Sequence, residues 1–231
     1  MRDFAVDQPE AYSTQIESAY WRLREDIIRG VLQPAAKLRI EHLRQSYGLG
    51  ASALREALSR LVSDGLVETE GQRGFWVAPI SRGELHDITA ARQVMEVGAL
   101  RQSITHGSVE WEGRVVAARH SLDHVEKSMA APSPDVILTW ERSNRQFHME
   151  LLAGCPSKWL LRFVGQLYDQ ALRYRHRTVL RRPIPRTGVS PEHNALVDAT
   201  LARDADRACG LLSEHIDNTA RSVEKAIFGE A

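Results

Sequence analysis

The apolar pattern of the chain changes character near Pro79, and this change constrains the fold more than any other feature. Up to Pro79, stretches with helical spacing are followed by two short β-type runs, at residues 66–69 and 75–77. Beyond it, helical spacing continues to the C-terminus without a segment that alternates like a strand. The sequence therefore predicts a mainly α protein of two domains: a small helical domain with a hairpin over residues 11–79, and an all-helical antiparallel bundle over residues 80–231.

Breaks in the apolar pattern predict where the helices begin and end. In the N-terminal domain, three helices are predicted near residues 16–29, 40–47 and 52–64. In the bundle, six helices are predicted, over residues 82–106, 109–130, 134–153, 157–180, 190–203 and 205–228. Residues 1–10 have no apolar periodicity, and we expect them to form a flexible N-terminus.

Composition is ordinary for a folded soluble protein, and the cytoplasm is its expected compartment. The 231 residues include no apolar stretch of the roughly 18–20 residues that a bilayer span requires, and the N-terminus lacks the apolar core of a signal peptide. The two cysteines, Cys155 and Cys209, form neither a CxxC pair nor a disulfide framework, so a reducing compartment is expected. The 30 basic and 30 acidic residues cancel, so evidence for a nucleic-acid partner has to come from local pattern.

The order of elements in the N-terminal domain is that of a winged helix-turn-helix, in which one helix enters the major groove of DNA. The helix at residues 52–64 has an apolar face of three leucines and, away from it, a polar face with Ser52 and Arg55. At the hairpin tip, Arg73 provides a cation and Gly74 allows the backbone to approach closely, so both are expected to contact the minor groove or a phosphate of the DNA. A protein-interaction module is the alternative, because a helical trio with a hairpin also occurs there.

Local charge gives modest support to the DNA-binding interpretation. Residues 37–60 contain five basic residues against two acidic ones. Such a small excess predicts weak binding by a single domain. We therefore expect a homodimer that occupies two half-sites of a double-stranded DNA operator.

A series of residues between positions 27 and 74 connects the N-terminal domain with a known family. They are Ile27-Ile28-Arg29-Gly30, Leu43, Gly48-Leu49, Leu54-Arg55-Glu56-Ala57-Leu58, Leu61, Asp64-Gly65-Leu66-Val67 and Arg73-Gly74. This pattern resembles the DNA-binding domain of the GntR family of bacterial regulators, which implies DNA binding through the helix that carries Arg55. His42 and Arg44, on the preceding helix, are further expected contacts. The family's Ser-Arg pair at the start of the reading helix is replaced by Gly50 and Ala51, so its operator preference does not carry over.

Histidines of the predicted bundle have the spacing of a metal site. His148 lies four residues after Asn144 on one predicted helix, so both side chains point the same way. His193 and His215 lie on two other predicted helices, and the four groups can converge inside a bundle. Imidazole nitrogens and an amide oxygen suit Zn²⁺, Ni²⁺ or a similar divalent ion. On spacing alone, the alternative is a set of hydrogen-bonded core histidines.

Residues 81–228 are similar to the FCD-type C-terminal domain, which defines the FadR-like branch of the GntR family. Three segments carry the similarity, at residues 144–148, 192–196 and 212–216, and they match the metal-ligand motifs of that domain. The resemblance implies four metal ligands: Asn144, His148, His193 and His215. Many members have aspartate in place of Asn144, and the neutral amide leaves the charge of the ion uncompensated. A carboxylate in an open coordination position supplies that charge, which favours a small organic acid as effector.

Two arginines are predicted to contact the effector. Arg92 lies in a segment that resembles the family's Arg-x-x-x-Glu motif, and a guanidinium binds a carboxylate through two hydrogen bonds. The alternative is that Arg92 only pairs with Glu96, four residues further along the helix. Arg173 forms a cluster with Arg175 and Arg177, from which one side chain is predicted to reach the pocket; a solvated or interdomain face is the alternative.

Ligand-controlled transcription regulation is the function that these features predict, with repression favoured over activation. The effector acts because it binds the DNA-competent and DNA-incompetent states with different affinities. One alternative is a metal-dependent hydrolase or oxygenase, but the sequence has neither the Glu-x-x-His nor the HExxH signature of such enzymes. Another is a purely structural metal ion with the effector bound elsewhere. We therefore predict a regulator that is not an enzyme.

Overall fold

The computed structural model describes residues 14–128, 133–179 and 189–229. The predicted flexible N-terminus, residues 1–10, lies outside this part of the chain. The chain divides into two compact units. The N-terminal unit contains the described residues up to Leu85 together with Asp169–Arg177. The bundle unit contains His86–Tyr168 and the described residues from Thr178 onward.

The N-terminal unit is a three-helix domain with a small antiparallel sheet. Its elements in the described residues are α1 (Gln15–Ile28), β1 (Lys37–Leu38), α2 (Ile40–Tyr47), α3 (Ala51–Ser63), β2 (Val67–Thr69), a 3-10 turn (Gly71–Arg73) and β3 (Phe75–Val77). The strand order is β1-β3-β2, with Leu38 opposite Phe75 and Val67 opposite Val77. The three predicted helices and the predicted hairpin are confirmed, whereas strand β1 was not predicted.

Local sequence explains the ends of these helices. The side chain of Thr14 caps α1 by accepting a hydrogen bond from the Glu17 amide. Gly48 ends α2 in a left-handed conformation with φ of 67° that glycine adopts without strain. The apolar face of α3 forms the centre of the core, where Leu54, Leu58 and Leu61 are fully buried. The predicted inward face of α3 is therefore confirmed.

Six long helices follow in the C-terminal part of the chain. They are α4 (Arg82–His106), α5 (Val109–Glu126), α6 (Pro134–Leu152), α7 (Lys158–Val179), α8 (Val189–Leu201) and α9 (Ala205–Phe228). Side chains of Ser108, Ser133 and Asp204 cap the N-termini of α5, α6 and α9. All six predicted helices are confirmed; the largest difference is that α5 ends at Glu126, before the predicted residue 130.

Large aromatic side chains fill the core of the bundle unit. Trp111 of α5, Trp140 and Phe147 of α6, and Tyr168 of α7 are almost completely buried. Phe147 contacts the rings of His148 and His193, so the core packs directly against two of the predicted metal ligands. None of the helices in the described ranges combines the length and apolarity that crossing a membrane requires.

Candidate metal centre and nucleic-acid interface

Helix α3 presents a polar face to solvent. Ser52 and Arg55 are both exposed, on the side of the helix away from its buried leucines. Within the described residues, Arg55 makes no hydrogen bond or ion pair, so its guanidinium is available to an external partner. The structure therefore gives these two residues the exposure that base or phosphate contacts need.

The other predicted DNA contacts are also at the surface. His42 and Arg44 are exposed on α2, where Arg44 pairs with Glu41 at 3.0 Å. Arg73 pairs with Glu70 at 3.1 Å, and its side chain is 74% exposed. Gly74 has φ of 120° and ψ of −153°, a conformation that suits glycine and allows the hairpin tip to turn. The exposed pairs are weak enough to exchange for phosphate contacts.

Three histidines converge in the bundle unit. His148 of α6, His193 of α8 and His215 of α9 are buried, and one ring nitrogen from each lies within 4.8 Å of the others. Their ring centroids are 4.8–5.4 Å apart. The fold of helices α6, α8 and α9 thus brings together side chains from a stretch that extends 67 positions, from His148 to His215.

Asn144 lies one helical turn before His148 on α6 and is buried. Its amide nitrogen donates a hydrogen bond of 3.0 Å to the Tyr168 hydroxyl. This orientation leaves the amide oxygen as the atom that can bind a cation. The three histidines and Asn144 therefore offer three imidazoles and one neutral oxygen donor.

In the part of the chain that the structure describes, His193 lacks the hydrogen bonds that a buried imidazole in a protein core ordinarily makes. Both of its ring nitrogens are buried without a hydrogen bond among the described residues. Burial, together with a smaller contribution from neighbouring His215, lowers the pKa of His193 to about 4 against the opposing effect of Glu126. A neutral buried imidazole without a partner is unfavourable unless another group satisfies it. A divalent ion fits this requirement, and the donor set suits Zn²⁺ or Ni²⁺.

Two carboxylates contact two of the histidines on the ring nitrogen Nδ1, and neither was predicted as part of the site. Glu192 accepts a hydrogen bond from His215 Nδ1 at 2.7 Å and another from Asn218 at 3.0 Å. The hydrogen bond with His215 is the main reason why the pKa of Glu192 lies below its ordinary value. Glu126 lies beside His193, with 3.6 Å between Oε1 and Nδ1. Burial raises the pKa of Glu126, but His193 and Arg119 outweigh it and hold the pKa below its ordinary value.

Arg92 is connected to this centre through Tyr168. Its guanidinium lies over the Tyr168 ring, 5.3 Å from the centroid, and the Tyr168 hydroxyl accepts from Asn144. Arg92 Nε also donates to Glu96 at 2.6 Å, in a pair that is almost completely buried. The Arg92–Glu96 pair that the sequence offered as an alternative is therefore present, and Arg92 also contacts Tyr168, a hydrogen-bond partner of Asn144.

Arg173 has a different environment from the one predicted. Its guanidinium donates to the backbone carbonyls of Ala78 and Pro79 and to the side chain of Gln170, all within the N-terminal unit. Burial lowers the pKa of Arg173, and nearby acids such as Glu84 oppose this effect. Because these partners occupy both of its terminal nitrogens, we do not include Arg173 in the effector site proposed below.

Comparison with known proteins confirms both family resemblances, that of the N-terminal domain and that of the C-terminal domain. The family model for bacterial regulatory proteins of the gntR family matches residues 15–77, and the FCD domain model matches residues 87–218. The chain is 41% identical to the uncharacterised HTH-type transcriptional regulator BphR of Paraburkholderia xenovorans (strain LB400), with 91% of this chain and 85% of that protein covered. It is 38% identical to the HTH-type transcriptional repressor GlaR of Escherichia coli (strain K12), with 94% and 98% covered.

Solved structures show the same fold. E. coli McbR/YncC superposes with a TM-score of 0.77 at 18% identity, covering 93% of this chain and 99% of that one. A transcriptional regulator GntR from Rhodococcus sp. RHA1, described as putative, has a TM-score of 0.73 at 19% identity and covers 92% and 98%. The family and the relatives are transcriptional regulators rather than enzymes, which excludes the enzymatic alternative. The chain belongs to the gntR family of bacterial regulatory proteins and, with its FCD domain, is a DNA-binding transcription regulator.

Proposed function

We propose that this regulator is a homodimeric repressor whose affinity for operator DNA is controlled by a small carboxylic acid bound at a divalent metal ion in the bundle unit. The observation that carries the proposal is the buried cluster of His148, His193 and His215, with ligand nitrogens within 4.8 Å of one another. Repression is supported by the 38% identity with a protein named as a transcriptional repressor. Asn144, the three histidines and Zn²⁺ or Ni²⁺ would form the centre.

The charges around the centre support a carboxylate as effector. The four donor groups are neutral when they bind a divalent ion, and Glu192 supplies one negative charge through His215. The charge of Glu126 is offset by Arg119, which lies 3.2 Å away. One positive charge therefore remains, and a single carboxylate in an open coordination position balances it.

Arg92 is the second proposed effector contact. Among the described residues, its Nε makes the hydrogen bond with Glu96, which leaves the two terminal nitrogens for a ligand. Its guanidinium lies over the ring of Tyr168, and the Tyr168 hydroxyl accepts a hydrogen bond from Asn144. A bidentate guanidinium pair would hold the far end of an organic acid.

The proposal is tested first by metal content. Protein purified without a His-tag should contain about one divalent ion per chain, because four buried donors form one site. The triple variant His148→Ala, His193→Ala, His215→Ala should contain none. A matched control replaces three exposed histidines, His106, His120 and His124, with alanine and should retain the ion.

Thermal unfolding then tests the link between ion and effector. A panel of small mono- and dicarboxylic acids should stabilise the wild type and the control variant, by about 2.7 kcal/mol at a concentration 100 times Kd. The triple variant should show no stabilisation. If the acids stabilise it equally well, the ion is structural and the effector binds elsewhere.

A further inference from the structure

Glu126 is a largely buried carboxylate that lies beside the proposed metal centre but is not one of its proposed ligands. It is the last residue of α5, and its side chain is only 11% exposed. Its Oε1 atom makes no hydrogen bond within the described residues, and neither does the Nδ1 atom of His193 that faces it at 3.6 Å. Two buried polar atoms thus face each other, each without a hydrogen bond.

Arg119 holds Glu126 in this position. Arg119 Nη1 donates to Glu126 Oε2 at 3.2 Å, and Arg119 Nε donates to Asn194 Oδ1 at 2.9 Å. Asn194 is the residue after His193 on α8. Arg119 therefore contacts both Glu126, which faces His193, and the residue next to His193. The Arg119 and Glu126 side chains are both nearly buried, which restricts their movement.

The neighbouring ligand provides a comparison within the same site. His215 has its Nδ1 atom 2.7 Å from Glu192 Oε2, so its other nitrogen, Nε2, is the one left for an ion. A carboxylate on the second nitrogen of a ligating histidine fixes the tautomer and ring orientation and increases the basicity of the ligand. Glu126 is placed to do the same for His193.

We propose that Glu126 is a positioning residue of the metal centre: it accepts the Nδ1–H of His193 and thereby directs Nε2 of that ring to the ion. The proposal rests on the proposed metal site. Closing the present gap of 3.6 Å would satisfy both buried atoms at once, and each of them is unfavourable when it has no partner. Arg119 offsets the charge of Glu126 and makes its burial tolerable.

Zinc affinity of three variants tests this role, measured by competition with a chelator of known affinity. Glu126→Ala should bind Zn²⁺ about 10–100-fold more weakly than the wild type, which is the usual effect of removing such a partner. Glu126→Gln should recover part of the affinity, because its single amide oxygen can still accept from His193 although its amide nitrogen cannot accept from Arg119. Asp123→Ala is the matched control: it removes a charge one turn earlier on α5, from a side chain that also contacts Arg119, and should leave the affinity unchanged.

The tautomer of His193 gives a second readout that general destabilisation would not produce. In ¹H–¹⁵N spectra of the zinc-loaded wild type, His193 should be protonated at Nδ1 and metal-bound at Nε2. The opposite tautomer would overturn the proposal even if Glu126→Ala does not fold. Unchanged zinc affinity of Glu126→Ala would also overturn it. If neither the wild type nor Asp123→Ala binds zinc, the proposed metal site itself is wrong, and the role of Glu126 fails with it.

Discussion

Among the residues that the structure describes, Arg55 has no acidic partner, unlike Arg44, Arg60 and Arg73. Arg44 and Arg73 each pair with a glutamate three residues away, and Arg60 pairs with Glu56 on the same helix as Arg55. Within the described residues no such pair restrains Arg55, which is exposed on α3. A base contact by Arg55 would therefore require no existing interaction to break.

Replacing Arg55 with alanine should weaken operator binding by about 1–3 kcal/mol, because a base-reading arginine contributes roughly that much. The measurement is fluorescence anisotropy with a duplex selected from random DNA by the wild-type protein. Arg29→Ala, which removes the same charge at the end of α1, should have a smaller effect. A folded Arg55→Ala protein that binds the selected duplex as tightly as the wild type would contradict the role given to Arg55.

The sequence predicts site residues that share a helix, but not contacts that only the tertiary fold creates. Asn144 and His148 share a helix, so their spacing alone places them together. Glu126 is the final residue of α5 and faces His193 of α8, a pairing that no spacing rule relates. Arg92 had two possible roles in the sequence, and only the structure shows that it contacts both Glu96 and Tyr168.

At the scale of elements, the helices were predictable because each carries apolar periodicity over several turns. Strand β1 was not, because Lys37–Leu38 is too short for an alternating pattern to be visible. Its strand character depends on pairing with β3, where Lys37 lies opposite Trp76. Such a pairing between distant segments is decided by the tertiary fold rather than by local sequence.

Two connections between helices depend on glycine for close packing. A Cβ atom at Gly107, between α4 and α5, would overlap the Trp111 ring and lie 2.5 Å from the Ser103 carbonyl oxygen. A Cβ atom at Gly154, before α7, would lie 3.1 Å from the Gly107 Cα atom. The end of α4 and the turn after α6 therefore approach each other at a distance that only glycine allows.

Gly107→Ala should lower the free energy of unfolding by about 1–3 kcal/mol, the usual effect of overpacking a tight site. Gly113→Ala is the control, because a Cβ atom there meets nothing within 4 Å and α5 is helical at that position. It should raise stability by up to about 1 kcal/mol. Urea unfolding followed by circular dichroism measures both. Equal stability of the two variants would show that the Gly107 junction can relax without loss.

The charge of the whole molecule favours DNA binding by a dimer over binding by a single chain. The chain has 30 basic and 30 acidic residues, so no overall attraction draws it to DNA. The excess of three positive charges over residues 37–60, from five basic and two acidic side chains, makes few phosphate contacts possible per chain. Phosphate contacts dominate affinity for DNA, so one copy should bind weakly, and two copies on adjacent half-sites should bind far more tightly.

We therefore expect a homodimer in solution and one dimer per operator. Sedimentation equilibrium at micromolar concentration should give twice the mass of the chain. A duplex with two half-sites should bind two chains, and a duplex with one half-site should bind much more weakly. Arg55→Ala should remain dimeric, because this exposed side chain on α3 is proposed to contact DNA rather than the second copy. The variant therefore separates loss of DNA contact from loss of dimerisation. A monomer at micromolar concentration, both free and on DNA, would contradict the expectation, because a single domain with so small a charge excess would then have to supply the whole affinity.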